Sequence, residues 1–175
     1  MFFVLLLWGC YADELEREAA REPFFDLAGY MEREVDSLRG LGLRVEKTVV
    51  LNGTEETQTL DELNFATDLR LFREADINKP AWLDKYVVNE TTEAARRVRT
   101  YTATDSSMQT WQLRVVYGEG GGSPEAIEVY RRTGTVLSDG EHHLRYAPAT
   151  GYRIRTEQVN RFGDDLDATI TVRWE

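Results

Sequence analysis

The sequence has only one cysteine and two histidines, and these low numbers limit the chemistry that the protein can perform. A single cysteine, Cys10, excludes an internal disulfide bond and any zinc site built from several cysteines. Acidic residues outnumber lysine and arginine by 31 to 21, which gives a net charge of −10. Proteins that bind nucleic acid normally carry a basic surplus that displaces the counterions of the phosphates. We therefore expect neither a disulfide framework nor a nucleic-acid partner.

The sequence also lacks the motifs of common enzyme and cofactor sites. No serine lies in a Gly-x-Ser-x-Gly motif. His142 and His143 are neighbours, and neighbours on a strand point to opposite faces, so they cannot form one metal site. The loop GEGGGSP at 118–124 joins two predicted strands, whereas a phosphate-binding loop precedes a helix. We interpret the aspartates at 164–167 as a turn rather than a calcium site, and we predict no catalytic residue, metal or cofactor.

The apolar run at residues 2–9 is too short to cross a bilayer, which requires about 20 residues, but it suits a secretory signal peptide. The segment that ends this run resembles the lipobox of bacterial lipoproteins and consists of Leu7, Trp8, Gly9 and Cys10. The resemblance implies cleavage before Cys10 and its modification by acyl chains such as palmitate. The alternative is a buried N-terminal strand with a chance cysteine. The abrupt change of polarity after Cys10 favours the lipoprotein.

The acidic segment after Cys10 bears on where the protein resides. Several acyl chains would hold the protein on a membrane far more firmly than one chain. The acidic residues at 13–16 resemble the export signal of surface lipoproteins of the Bacteroidota type, although they are equally consistent with a solvated spacer. We expect a cell-envelope lipoprotein of the outer membrane, either periplasmic or surface-exposed. Its expected organisation is a signal peptide at 1–9, an anchor and charged tether at 10–22, and one domain at 23–175.

Two amphipathic helices are predicted in the first half of this domain. The first begins at Pro23 and ends at Gly40 or Gly42, and its apolar face contains Phe24, Ala28, Met31, Val35 and Leu38. The segment Thr59–Glu62 has the pattern of a capping box for the second helix, which should end near Asp76. The apolar face of that helix contains Leu63, Ala66, Leu69 and Phe72.

A β-hairpin is predicted between the helices, and further strands follow them. Asn52-Gly53 favours a two-residue turn that pairs Leu51 with Thr54 and Val49 with Glu56. From Lys85 onward, apolar residues alternate with polar ones, as in Trp111, Leu113, Val115 and Tyr117. Turn signals lie at 105–106, 134, 139–140, 148–151 and 163–164. We therefore predict an α+β fold in which two N-terminal amphipathic helices pack on a curved antiparallel β-sheet meander.

Four segments, FFDLAGYMEREV, TVVLNGTEETQTL, LFREADINKPAWLDKY and LRYAPATGYRI, resemble a functionally uncharacterised family of short envelope lipoproteins of the Bacteroidota type. The resemblance covers most of residues 23–160. The resemblance implies a location in the cell envelope and an α+β fold, but it identifies no active-site residues.

Five arginines lie at polar positions of the predicted strands, so they should share one outer face of the sheet. These residues are Arg114, Arg145, Arg153, Arg155 and Arg173. They could pair across strands with acids such as Glu128, Glu141 and Glu157. Alternatively, they could bind an anionic partner such as a polysaccharide, a lipid head group or an acidic envelope protein.

The leading functional hypothesis is a non-catalytic, lipid-anchored envelope protein that binds or scaffolds another component. A second hypothesis is a carrier of lipids or other hydrophobic ligands in a cavity between helices and sheet. Its candidate cavity residues are Trp111, Tyr117, Tyr146, Tyr152 and Trp174. At strand spacing such aromatics are also typical of a packed core. A third hypothesis is a hydrolase of envelope polymers, which would require a cleft containing acids with shifted pKa values.

Overall fold

The computed structural model describes residues 24–118 and 120–174. The predicted signal peptide, the anchor Cys10 and the tether lie outside the described residues. The α-helices are α1 (Leu27–Leu41), α2 (Phe65–Asp68) and α3 (Arg70–Glu74), and Pro80–Trp82 forms a 3₁₀ turn. The strands are β1 (Val45–Leu51), β2 (Thr54–Leu60), β3 (Tyr86–Glu93), β4 (Arg96–Ala103), β5 (Thr110–Tyr117), β6 (Pro124–Gly134), β7 (Ser138–Ala147), β8 (Gly151–Asn160) and β9 (Leu166–Trp174). No helix in this part of the chain is long and apolar enough to cross a membrane.

The strands form one antiparallel sheet in the order β2-β1-β9-β8-β7-β6-β5-β4-β3. Strands β3 to β9 are therefore neighbours in chain order, joined by short turns. The N-terminal hairpin breaks this order, because β1 pairs with the last strand, β9. The fold is α+β in class and mostly β in content, with short helices preceding the main run of strands.

The β1–β2 hairpin has the predicted register. Leu51 pairs with Thr54, and Val49 pairs with Glu56. Asn52 and Gly53 have φ values of 46° and 84°, which is the backbone that a two-residue I′ turn requires. The Asn-Gly sequence was sufficient to predict this pairing because the turn sets the register of both strands.

Helix α1 ends where the sequence predicted but begins later. Gly42 closes it in the left-handed conformation, with a φ of 57°. Its N-cap is Asp26, whose carboxylate accepts a hydrogen bond from the Gly29 amide at 2.9 Å. The Asp76 carboxylate accepts two further bonds, from the Leu27 and Ala28 amides at 3.0 and 3.3 Å. These carboxylates satisfy amides that the first turn leaves unpaired.

The predicted capping box at Thr59 is wrong. Strand β2 continues to Leu60, and Thr59 pairs with Glu46 of β1. The helical segment begins only at Phe65, where the Asn64 side chain accepts a hydrogen bond from the Thr67 amide. It comprises two short helices, α2 and α3, rather than one continuous helix. The long-range pairing of Thr59 overrides its local capping signal.

All three α-helices pack on one side of the sheet, which we call the helix-covered face. Tyr30 of α1 and Phe72 of α3 both place their rings edge-on to Tyr146. Phe65 of α2 packs edge-on against Trp174. The main core lies in this layer, and the opposite side of the strands is called the open face.

One predicted turn lies inside a strand. Asp139 and Gly140 belong to β7, and they pair with Gly134 and Thr133 of β6. A Cβ atom at Gly140 would lie 2.7 Å from the Thr133 hydroxyl oxygen, so this glycine allows close packing within the sheet.

Candidate functional site

A row of charged side chains crosses the open face of four neighbouring strands. Arg114 of β5 is opposite Glu128 of β6, Glu128 is opposite Arg145 of β7, and Arg145 is opposite Arg153 of β8. The charges alternate as far as Arg145 and then repeat at Arg153. Cross-strand neighbours of like charge destabilise a sheet, so this last pair distinguishes the row from ordinary charge pairing.

The structure places all five predicted arginines on the open face, and four of them contact carboxylates. Arg114 contacts Glu93 and lies 3.0 Å from Glu128, which also accepts a hydrogen bond from Arg145 at 3.2 Å. Arg155 contacts Glu157 and Asp167, and Arg173 lies 3.7 Å from Glu46. Ion pairs with acids on neighbouring strands therefore explain the position of most of these arginines without a ligand.

Arg153 differs from the other four arginines. No carboxylate of the described residues lies within 4 Å of its guanidinium group. Its direct neighbours on the adjacent strands are Arg145 and the uncharged Thr171. Its positive charge is therefore not neutralised by an ion pair in the described part of the chain.

Arg153 lines a small depression of about 140 Å³ between β7, β8 and β9. We call this depression the arginine notch. Its charged lining residues are Arg145, Arg153 and Arg173, and the lining contains no carboxylate. Thr150 and Thr171 add hydroxyl groups. Three arginines and two threonines thus border the notch, and guanidinium and hydroxyl groups can donate hydrogen bonds to phosphate, sulfate or carboxylate oxygens.

Gly151 allows strands β8 and β9 to approach closely beside the notch. It has a φ of 132°, and a Cβ atom added there would lie 1.9 Å from the Val172 carbonyl oxygen. Only glycine fits both this backbone and this contact. The Ala147–Gly151 turn also sets the register that places Arg145 opposite Arg153.

A larger groove of about 610 Å³ adjoins the notch and shares Arg145, Ala147 and Thr150 with it. The apolar lining consists of small side chains, namely Ala94, Val98, Val116, Pro124, Ala126, Ala147, Pro148 and Ala149. Val98, Val116 and Ala126 form a cluster of buried side chains separate from the main core. The rim carries ion pairs, including Arg96 with Glu125 at 2.9 Å. Groove and notch form one continuous surface of donors, acceptors and small apolar groups.

His143 lies on the open face beside the notch arginines. Its ring stacks on Tyr130 with centroids 4.2 Å apart and planes inclined by 10°. Burial is the largest influence on the pKa of His143 and lowers it. The negative charge of Glu128 raises the pKa by a smaller amount, and the positive charges of Arg153, Arg145 and Arg155 lower it further. The protonation of His143 is therefore sensitive to any anion that neutralises these arginines.

His142 points to the helix-covered face, as the alternation of strand side chains predicts. Its Nδ1 and Nε2 atoms lie 3.0 and 3.1 Å from the hydroxyls of Thr156 and Thr133. The two histidines thus lie on opposite faces of β7. No cluster of three or more potential metal ligands occurs within residues 24–118 and 120–174.

The five candidate cavity residues do not line one cavity. Trp111 lies on the open face, where its ring is 5.3 Å from that of Tyr130. A β-bulge between Thr110 and Gln112 shifts the alternation of β5 and turns Trp111 away from the core. The prediction of a shared aromatic wall is therefore wrong for Trp111, because the sequence pattern does not reveal the bulge.

The other four aromatics pack against neighbouring side chains. Tyr146 and Tyr152 contact Phe72 edge-on, and Trp174 lies against both tyrosines. The Tyr146 hydroxyl donates to Glu34, and the Tyr152 hydroxyl donates to Asp68. Tyr117 carries the Arg97 guanidinium 4.4 Å above its ring. These contacts make the aromatics part of a packed interior.

Searches against protein-family models, curated proteins and solved structures found no significant match to this chain. Sequence reasoning identified the arginines of the notch but missed Thr150, Gly151 and Thr171. The missing information was the strand order, because Thr171 and Arg173 reach the notch only when β9 pairs with β8.

Proposed function

We propose that the protein is a lipid-anchored protein of the bacterial cell envelope that binds an anionic polysaccharide without catalysing a reaction. The lipobox-like segment at residues 7–10 supports the anchor. The observation that carries the binding role is the arginine notch, which is lined by Arg145, Arg153 and Arg173 and by no carboxylate.

The unpaired charge of Arg153 supports ligand binding over a purely structural role. A structural arginine on a solvated sheet gains stability from a cross-strand acid, as Arg114 does from Glu128. Arg153 instead lies opposite another arginine. An anionic group in the notch would supply the missing negative charge and accept hydrogen bonds from both guanidinium groups.

The continuity of notch and groove supports a chain-like ligand. The notch has the volume for a single anionic substituent, and the groove offers about 610 Å³ beside it. The paired arginines and glutamates of the groove rim can exchange hydrogen bonds with sugar hydroxyls, while the small apolar side chains leave room for the rings. If a charged sugar of a polysaccharide occupied the notch, the sugars next to it in the chain would lie in the groove.

The packed aromatic interior favours this role over the carrier hypothesis. A carrier requires an apolar cavity between helices and sheet, and Tyr146, Tyr152 and Trp174 contact other rings in that layer. The hydrolase hypothesis requires a cleft with acids of shifted pKa, and no specific observation favours it.

The binding role is tested with three polymers of similar length: alginate, dextran sulfate and uncharged dextran. Titration calorimetry should show binding of at least one anionic polymer and no binding of dextran. Arg153→Gln should weaken the anionic binding at least tenfold. The matched control is Arg39→Gln on helix α1, which removes the same charge from an exposed site on the other side of the sheet.

Equal affinity of wild type and Arg153→Gln for both anionic polymers would contradict the proposal. Binding of neither anionic polymer would also contradict it. Because the measurement uses no membrane, its outcome does not depend on the anchor.

The anchor has its own test, in which the protein is produced in a bacterial host and the membrane fraction is analysed by intact mass spectrometry. We expect loss of residues 1–9 and a mass increase from acyl groups on Cys10. A Cys10→Ser variant should carry no acyl mass. An unmodified mass for the wild-type protein would exclude the anchor while leaving the notch unaffected.

A further inference from the structure

Two neighbouring turns carry an unusual concentration of exposed apolar side chains. Among the large apolar residues, Phe162 is 81% exposed, Val136 77%, Val159 64% and Leu137 59%. Val136 and Leu137 belong to the turn between β6 and β7, Phe162 lies in the turn between β8 and β9, and Val159 is the second-last residue of strand β8. We call these four residues the tip patch.

Backbone pairing holds the two turns side by side. Ser138 of β7 pairs with Asn160 of β8, and the Arg161 amide donates to the Leu137 carbonyl oxygen at 2.9 Å. The β1–β2 turn lies beside them, because the Asn52 amide donates to the Asp167 carbonyl oxygen at 2.8 Å. The turns that carry the tip patch are therefore held side by side at one end of the sheet.

Phe24, the first described residue, lies at this same end of the sheet. Phe24 packs against Tyr86, the first residue of β3, and against Tyr101 near the end of β4. In the antiparallel order these positions lie at the sheet end that carries the β6–β7 turn. The Ala147–Gly151 turn beside the arginine notch lies at the opposite end. Phe24 and the tip patch thus lie at one end of the sheet, and the notch lies at the other end.

We propose that the tip patch inserts into the surface of a lipid bilayer and holds the domain with the arginine notch directed away from the membrane. Exposed apolar patches of this kind mark interaction sites, and each side chain gains free energy when it leaves water. The proposal goes beyond the polysaccharide role, because it depends on different residues at the other end of the sheet.

The size and shape of the tip patch favour a bilayer over a protein partner. A stable protein interface uses roughly 20–30 residues from each side, whereas four exposed side chains, three on turns and one at the end of β8, offer far less surface. A fluid bilayer can close around such a projection, as it does around interfacial helices and acyl chains.

The charges around the tip patch specify the kind of bilayer. Asp139, Asp164 and Asp165 accompany a single Arg161 at these turns. Anionic head groups would repel this acidic surplus, so the patch suits zwitterionic lipid such as phosphatidylcholine. Binding should therefore weaken as anionic lipid is added, the reverse of a polybasic membrane site.

The test places a tryptophan at the tip and measures its quenching by brominated phosphatidylcholine. Phe162→Trp and Val136→Trp are introduced separately into the full chain, which is mixed with vesicles of brominated phosphatidylcholine. Ala149→Trp, in the exposed turn at the opposite end, is the matched control. The fluorescence of the four native tryptophans is subtracted with the parent protein.

We expect both tip probes to be quenched at least threefold more than the Ala149→Trp control, with less quenching when a third of the lipid is anionic phosphatidylglycerol. Equal quenching at the tip and at Ala149 would overturn the proposal, whether or not the chain is acylated. Concentration-dependent dimerisation that the double variant Val136→Ser/Phe162→Ser abolishes, without tip quenching, would assign the patch to a second copy instead. Neither result would bear on polysaccharide binding, which is measured without vesicles.

Discussion

Arg145 and Arg153 occupy directly opposite positions on β7 and β8, and of the two only Arg145 has a carboxylate partner within the described part of the chain. In the absence of ligand, their repulsion should cost stability. We predict that Arg153→Gln raises the free energy of unfolding by about 0.2–1 kcal/mol, the range for cross-strand pairs. Urea denaturation of the unliganded protein measures this change.

Arg145→Gln is the matched control, because it removes the same repulsion together with the ion pair to Glu128. The Glu128 side chain is only 15% exposed, so it would lose one of two arginine partners in a poorly hydrated position. We expect no gain in stability from this variant. If Arg153→Gln instead lowers the free energy of unfolding, Arg153 serves the fold rather than a ligand.

Gly151 should tolerate no larger residue. Gly151→Ala would place a Cβ atom 1.9 Å from the Val172 carbonyl oxygen at a φ of 132°, so the strands must separate. We expect destabilisation of at least about 2 kcal/mol. Gly40→Ala is the opposite case, since Gly40 lies in helix α1 with nothing within 4 Å of an added Cβ. That variant should stabilise by about 0.5–1 kcal/mol. Thermal unfolding of both variants should therefore show shifts of opposite sign.

The β3–β4 turn at the edge of the groove contains backbone strain. Ala94 and Ala95 have φ values of 47° and 65°, a conformation that disfavours any residue with a Cβ atom. Replacing them with Asn and Gly, the pair that forms the β1–β2 turn, should stabilise the protein by about 1–2 kcal/mol. Denaturant unfolding provides the measurement, and the reciprocal change of Asn52 and Gly53 to alanine should destabilise by a similar amount.

Buried tyrosines should make the protein sensitive to alkali. Burial raises the pKa of Tyr86 to about 12, and it also raises the pKa of Tyr30, Tyr146 and Tyr152 above the usual value of 10. The folded state therefore holds these protons more tightly than the unfolded state. The resulting stability is fully present below pH 10 and is lost as the pH rises toward 12 and beyond.

Urea unfolding at pH 9, 10 and 11 checks this pH dependence, and the midpoint should fall between pH 10 and 11. Ultraviolet absorbance should show that fewer than all eight tyrosines ionise at pH 11 until urea unfolds the chain. Tyr86→Phe should reduce the slope above pH 10. A midpoint that is independent of pH in this interval would contradict the burial of these hydroxyls.

Short sequence motifs correctly predicted those features of the fold that depend only on neighbouring residues. The Asn52-Gly53 turn specifies its own hairpin register, and Gly42 stops helix α1 through a conformation that glycine adopts readily. The same logic failed at Thr59, where pairing with Glu46 outweighs a capping signal. It also failed at Trp111, because a bulge reverses the face of a strand without changing the composition of the sequence.

The candidate site could be predicted only in part for a related reason. The turn between Ala147 and Gly151 brings Arg145 opposite Arg153, so the sequence of that hairpin alone is sufficient to place these two arginines together. Arg173 and Thr171 join it through the pairing of β9 with β8. The tip patch likewise exists because separate turns lie side by side in the folded sheet.

The central claim, that an anion binds among the notch arginines, is tested most directly by the pKa of His143. Proton NMR titration of the two histidines should be recorded without ligand and with saturating alginate or dextran sulfate. Burial lowers the pKa of His143, and the positive charges of Arg153, Arg145 and Arg155 lower it further. A bound anion should therefore raise the pKa of His143 and leave that of His142, on the opposite face, nearly unchanged. An unchanged His143 pKa with both saturating polymers would contradict the account.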